Sequence, residues 1–263
     1  LIVGDHNAKD QDSKMGSWLW STFPSQSETP PDGFVAEESP SIWLAGDVSE
    51  NGQLLMLGNA LNVWNSVPSS SDIPADLTLK GQSWGLRGGD GSTIAVVGDR
   101  VYVSDYNANR VVGFNGIPTS ENQSPDFVIG APDLETDTFA QNYFITNGLP
   151  RSDGQSLVIG DGYDKRLNCW VSLPTQSATR PTAVVAFQDG LQSLALHGKT
   201  LVGAGPMNGL QAWTNGLPCD GRPPDIVYGF QIGSERFDQI QSLALDSQYL
   251  YVLDAVGTLD VWP

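Results

Sequence analysis

Basic residues, cysteines, histidines and long apolar runs are all scarce in this sequence, and each scarcity removes a class of function. Lys and Arg total 13 against 30 Asp and Glu, a formal charge of -17, and no basic run interrupts the excess. Nucleic acid and anionic lipid are recognised through clustered Lys and Arg, so neither is expected as a partner. No apolar stretch approaches the roughly 20 residues that cross a bilayer as a helix, no charged segment followed by an apolar one marks a signal peptide, and membrane insertion is not expected. The chain opens on Leu1 and directly on the strand-like "LIVGD", as expected of a processed product or a piece of something longer.

The two cysteines, Cys169 and Cys219, allow one disulfide or two thiols, and their spacing matches no zinc, redox or haem signature. Cys169 sits beside Trp170 in an apparent strand and Cys219 in a Pro/Gly loop of the next unit, which tips the reading toward two thiols. His6 and His197 lie far apart, and two histidines cannot build a His-rich zinc site, although one could join carboxylates from elsewhere. Nothing like "GxSxG" is present, so a serine nucleophile has no support. "DVSENG" (Asp47 to Gly52) opens like a calcium loop, but its twelfth position is Gly58 where a bidentate Glu is needed; it reads as a hairpin turn. No metal site and no cofactor are implied.

What is abundant is turn chemistry. Gly (29) and Pro (17) separate short apolar runs, and no stretch shows the spacing of an amphipathic helix. An aromatic residue, a few residues, an apolar one and Pro recur as "WSTFP", "WNSVP", "FNGIP", "WVSLP" and "WTNGLP", and the chain ends on "VWP". The aromatics stand at 20, 64, 114, 170, 213 and 262, so the steps are 44, 50, 56, 43 and 49. That period belongs to propeller blades.

Each unit reads as four short strands. The first is apolar and small, as in "STIAVVG" and "SLALHG"; a tight turn leads to the second, as in "RVYVSD" and "YLYVLD". Asn-Gly and Asp-Gly pairs in "SENGQ" and "SDGQ" supply the positive φ of a hairpin. The recurrent aromatic marks the third strand. The fourth starts at Pro31, Pro74, Pro125, Pro181 or Pro224, where an outermost strand can spare an amide donor. Such units close radially so that neighbours cover each sheet. The expected fold is therefore all-β, one six-bladed β-propeller over 1–263, with units at about 1–40, 41–91, 92–145, 146–192, 193–241 and 242–263. Unit 1 lacks its first strand and unit 6 its fourth, to be completed by sequence outside this chain, by another chain, or not at all. Five blades with an overlapping remnant would leave Trp20 or Trp262 without a blade.

"VYVSDYNANRVVGFNGIPT", from Val101, carries a strand ending in Asp, an Asn-rich turn, an Arg and an aromatic strand, and "SPDFVIGAPDLETDTF" follows it. These segments resemble the NHL-repeat β-propellers of the secreted prokaryotic type. Unit 4 keeps Asp161 and Arg166, unit 1 keeps Asp5 with an expanded turn, and units 2, 5 and 6 lack the Asp/Arg pair. The resemblance implies a propeller and an extracytoplasmic setting: secreted, periplasmic or at the cell surface. Because Asp105, Asn107, Asn109 and Arg110 recur in part elsewhere, they read as architecture: Asp105 capping the turn, the asparagines tolerating left-handed backbone, Arg110 pairing with a carboxylate.

Trp20, Trp64, Trp170, Trp213 and Trp262 occupy the repeating position and read as core. Trp84 breaks the pattern. The loops joining fourth to first strands, and second to third, crowd one face, expected to carry Trp84, Arg87, Tyr106, Tyr143 and Arg236 as binding residues. The function this supports is a non-catalytic binding or scaffold module with a protein or glycan partner on that face. The alternatives are a metal-dependent lactonase or lyase propeller and a structural subunit of an extracellular assembly.

Overall fold

The computed structural model describes residues 1–9, 15–24, 26, 28–36, 45–81, 84–86, 93–136, 148–187, 190–237, 239–255 and 258–263. Short antiparallel sheets follow one another along the chain as the blades of a six-bladed β-propeller. Blade 1 has three strands, β1 (Ile2–Lys9), β2 (Met15–Leu19) and β3 (Gly33–Ala36). Blade 2 has four, β4 (Ala45–Val48), β5 (Leu54–Leu57), β6 (Leu61–Trp64) and β7 (Leu77–Leu79). Blade 3 repeats them as β8 (Ile94–Val97), β9 (Arg100–Asp105), β10 (Arg110–Phe114) and β11 (Phe127–Ile129). Blade 4 is β12 (Gly148–Ser152), β13 (Leu157–Asp161), β14 (Arg166–Trp170) and β15 (Ala183–Ala186).

Blade 5 comprises β16 (Ser193–His197), β17 (Thr200–Gly205), β18 (Gly209–Trp213) and β19 (Ile226–Gly229). A small ribbon, β20 (Gln231–Ile232) with β21 (Glu235–Arg236), intervenes before blade 6, whose strands are β22 (Ile240–Leu245), β23 (Leu250–Asp254) and β24 (Leu259–Trp262). Blade 1 thus fills the second, third and fourth strand positions and blade 6 the first, second and third, as the register of Trp20 and Trp262 requires. The inner strands β4, β8, β12, β16 and β22 abut in that order. The Phe23 and Tyr251 rings, 5.0 Å apart, bring blade 1 against blade 6.

Two-residue alternation, with both faces covered, produces this ring. In β5 all four residues are buried, yet they belong to two cores: Leu54 and Met56 pack with Leu19 and Val35 of blade 1, whereas Leu55 and Leu57 pack with Ile94 and Val103 of blade 3. A strand whose side chains point alternately to opposite faces can serve two neighbours only if both faces are apolar. One apolar cluster lies between each pair of consecutive blades: Tyr102, Phe127 and Trp170 between 3 and 4, Leu167, Val185 and Trp213 between 4 and 5, Val202, Phe237 and Val252 between 5 and 6. The expected hairpin turn at "DVSENG" is there, with Gly52 at φ 82° and its N–H on the Ser49 carbonyl (2.9 Å).

A second regularity holds the rim. The indole N–H of Trp20, Trp64, Trp170 and Trp213 donates in each case to the carbonyl nine residues on, of Thr29, Ile73, Thr179 and Arg222, at 3.0 to 3.3 Å. The residue eight positions after each tryptophan, Glu28, Asp72, Ala178 or Gly221, has positive φ. The residue twelve positions on accepts the N–H just after the aromatic: Asp32 from Ser21, Asp76 from Asn65, Asp126 from Asn115, Thr182 from Val171 and Asp225 from Thr214. Phe114 has no N–H to give, and there Asn122 is not in the left-handed region; the Thr119 N–H turns to Gln123 Oε1 instead (3.0 Å).

The same loop also latches onto the preceding blade. Ser71 Oγ accepts the Phe34 N–H (2.9 Å) and Ser177 Oγ the Val128 N–H (3.1 Å), quenching amides on otherwise open outer strands. The same loop of blade 5 is latched covalently, because Cys219 is disulfide-bonded to Cys169 on the third strand of blade 4. The reading of two separate thiols is therefore corrected. Residues in different units looked remote along the chain, but each loop folds back over the blade before it.

Candidate functional site

On the loop face of blade 3 the Asp/Arg motif is closed in on itself. Asp105 is fully buried, Arg110 is 3 % exposed, and they pair at 2.9 Å. The rest of the guanidinium donates to the carbonyls of Trp84 (3.1 Å), Gly85 (3.2 Å) and Leu134, tying the turn to the connections before and after the blade. No side-chain cap from Asp105 closes the 3-10 turn at Tyr106–Ala108, so the capping role is corrected to an ion pair; Asn109 takes the left-handed conformation (φ 54°) as expected. Blade 4 repeats the pattern with Lys165 at φ 56° and Arg166 Nη2 3.3 Å from Asp161. Blade 5 places Gly209 there without the pair. This cluster is a joint of the frame.

The inner strands carry a second, half-buried polar group. Asp47 on β4 accepts N–H bonds from Val96 of blade 3 (2.7 Å) and from Val48 (2.9 Å), and burial raises its carboxyl above the ordinary Asp value. Arg151 on β12 donates to the carbonyls of Pro150 (2.7 Å) and Ile94 (3.5 Å), and burial lowers its guanidinium with Asp47 opposing. These bonds staple inner strands of blades 2, 3 and 4. Among the described residues, no group of three or more His, Cys, Asp or Glu is arranged to hold a metal ion.

Of the five residues expected on the loop face, Arg87 and Tyr143 lie outside the described residues. Tyr106 is half-buried on its 3-10 turn. Trp84 is 7 % exposed: Gly81, at φ 63°, accepts the N–H bonds of Trp84 and Leu86, and the turn tucks the indole edge-on against Phe114 at 6.2 Å in the core between blades 2 and 3. An apolar ring beside a left-handed glycine turn is buried by the blade edge it folds onto, so an open stacking platform is not what Trp84 provides.

Arg236 is different. It is exposed on β21 and lines an open pocket of about 530 Å³ together with Tyr228, Phe230, Gln231 and Phe237. Neither Trp84 nor Tyr106 lines this pocket. The ribbon that builds it is held by the Phe237 N–H on the Phe230 carbonyl (3.0 Å), by pairing of Gln231 with Arg236, and by Trp262, whose ring meets Phe237 edge-on at 4.9 Å. Gln231 Nε2 donates to the Gly233 carbonyl (2.7 Å), leaving Oε1 as an acceptor. Sequence reasoning passed over Tyr228, Phe230, Gln231 and Phe237; the signal available was "IVYGFQIGSERF", an aromatic-bounded run between the fourth strand of unit 5 and the first of unit 6.

No family model matches this chain, and no curated protein matches it in sequence. Solved structures match it in fold. A computationally designed protein, Ika8, aligns over 99% of this chain and 67% of its own at 11% identity, TM-score 0.50. A chain of a mitotic checkpoint complex aligns over 88% of this chain and 67% of its own at 16% identity, TM-score 0.56. The chain therefore spans about two thirds of each. At such identities the likeness establishes the class of architecture alone, a β-propeller.

Proposed function

We propose that this protein is a non-catalytic binding propeller that presents its loop face to a protein or glycan partner outside the cytoplasm. The observation that carries the reading is the pocket at Arg236. It is an open recess with aromatic walls and an exposed guanidinium that bonds no acceptor among the described residues, mounted on a frame in which the Asp105–Arg110 and Asp161–Arg166 motifs are occupied by each other. Rigid blades with a variable connection between two of them place function on the connection. Propeller folds commonly bind proteins, and the similar chain in a mitotic checkpoint complex is, by its description, part of a multiprotein assembly.

Two features support the proposed setting. The Cys169–Cys219 disulfide spans 50 residues and belongs to oxidising compartments. The resemblance of "VYVSDYNANRVVGFNGIPT" to secreted NHL-repeat propellers agrees with this. The test is to probe parallel peptide and glycan arrays with the 263-residue chain, and with an Arg236→Ala variant as control. The expected result is a set of ligands on one array whose signal depends on Arg236. Retention of no ligand by either array would overturn the reading.

A further inference from the structure

Resting on the binding reading above, we infer that the pocket at Arg236 recognises the free C-terminal carboxylate of an extended peptide that ends in an apolar side chain. The charge argument comes first. Arg110, Arg151, Arg166 and Arg222 each bond at least one carboxylate or carbonyl of the chain. Arg236 is exposed, and no acceptor among the described residues is bonded to it. In a chain with 30 acidic and 13 basic residues, an unpaired guanidinium stands out chemically, and its planar fork of donors matches a carboxylate. One cation lining the recess, in a chain of net charge -17, suits a single carboxylate and disfavours a polyanion.

The walls specify what carries that carboxylate. Tyr228, Phe230 and Phe237 bound the recess, and its 530 Å³ accommodates a terminal side chain or two rather than the length of a polymer. Apart from Arg236, the polar side-chain groups lining it are the Tyr228 hydroxyl and the Gln231 amide, whose Oε1 suits a backbone N–H.

The approach to the pocket also favours a peptide. Tyr228 belongs to β19, the last strand of the blade 5 sheet, so one row of its backbone groups faces away from the sheet. Ile226, Val227 and Tyr228 on that strand are 38%, 59% and 38% exposed. Phe34 and Val35 of β3 and the three residues of β11, by contrast, are buried, and the Phe34 and Val128 amides are bonded to serines of the following blade. An extended segment paired to the edge of β19 would present its last residue to the aromatic walls and its carboxylate to Arg236, combining strand addition with terminal carboxylate capture.

The experiment uses the 263-residue chain and the peptide acetyl-Val-Thr-Val-Thr-Val-Phe, labelled for fluorescence anisotropy, as the free acid and as the C-terminal amide. The free acid is expected to bind about tenfold or more tightly than the amide, the effect of a charge-assisted hydrogen bond. Arg236→Gln is expected to bring the acid down to the affinity of the amide and leave the amide unchanged. Arg236→Lys is expected to retain part of the difference. Circular dichroism and melting of the variants, whose side chain is exposed, check that the fold is kept. Equal binding of acid and amide, an unaltered acid affinity in Arg236→Gln, or no binding of either peptide overturns the inference. The binding reading survives these outcomes if the arrays still yield ligands dependent on the loop face, and falls only if they yield none.

Discussion

Two arginines on the loop face, Arg110 and Arg236, differ in nearly everything but their chemistry. Arg110 is buried and bonded to Asp105 and to carbonyls of the connections on either side. Arg236 is exposed, beside aromatic rings, with no bonded acceptor among the described residues. The first belongs to a motif that the chain repeats in blade 4; the second sits on a ribbon interposed between blades 5 and 6. A pattern that recurs around a ring reports what every blade needs, whereas an interruption reports what only one place does.

The contrast can be broken most forcefully at its buried end. Arg110→Ala leaves Asp105 charged, buried and without its guanidinium partner, and is expected to cost about 3–5 kcal/mol of stability in urea unfolding. Arg236→Ala, at the exposed end, is expected to stay within about 0.5 kcal/mol of the parent. A similar loss in both would erase the distinction between joint and site.

The covalent latch comes next. Cys219→Ala together with Cys169→Ala is expected to lower stability by about 2–4 kcal/mol under oxidising conditions, because the bridge restricts a loop of 50 residues in the unfolded chain. Dithiothreitol should destabilise the parent by a like amount and leave the double variant unchanged. Peptide mapping without reduction should recover Cys169 and Cys219 in one fragment pair.

A smaller effect, about 1 kcal/mol, is expected at the rim. Trp170→Phe removes the indole donor to the Thr179 carbonyl and makes blade 4 resemble blade 3 at Phe114. Ala178, held at φ 58° by that loop, should then exchange its amide proton faster. An unchanged exchange rate would mean that the indole bond does not set the turn.

The smallest effect is in the pH profile. Asp225 is held below its ordinary value chiefly by the Thr214 N–H, and Asp32 chiefly by the Ser21 hydroxyl. A carboxyl whose folded value is depressed contributes stability that is present above its ordinary value of 3.8 and lost as pH falls through the lower folded value. Asp225→Asn should therefore flatten the acid limb of the stability curve. Asp47, raised by burial, runs the other way: its ionised form is disfavoured in the folded state, so its contribution improves as pH falls. Melting of the parent and of Asp225→Asn between neutral pH and pH 3 checks the sign.

Much of the frame was legible in the chain. The aromatic residues at 20, 64, 114, 170, 213 and 262 placed the third strand of every blade, and the positions of Trp20 and Trp262 showed which strand positions blades 1 and 6 would fill. The fixed distance of twelve residues from Trp20 to Asp32, Trp64 to Asp76 and Trp213 to Asp225 was also present, though it becomes meaningful only once the N–H bonds to those carboxylates are known. The site was less legible. Arg236 was picked out as a loop residue, but Trp84 was read as open when it is buried, and the aromatic partners of Arg236 looked like ordinary strand residues.

By itself the sequence determined the number and order of blades, because alternation and turn chemistry act over a few residues and repeat. Only the tertiary structure decided which side chains remain free. Whether Cys169 meets Cys219, whether Trp84 faces water, and which carbonyls Arg110 reaches depend on which blade each loop folds onto. Those encounters join residues some 25 to 50 positions apart, beyond the reach of local preference and fixed by the closing of the ring.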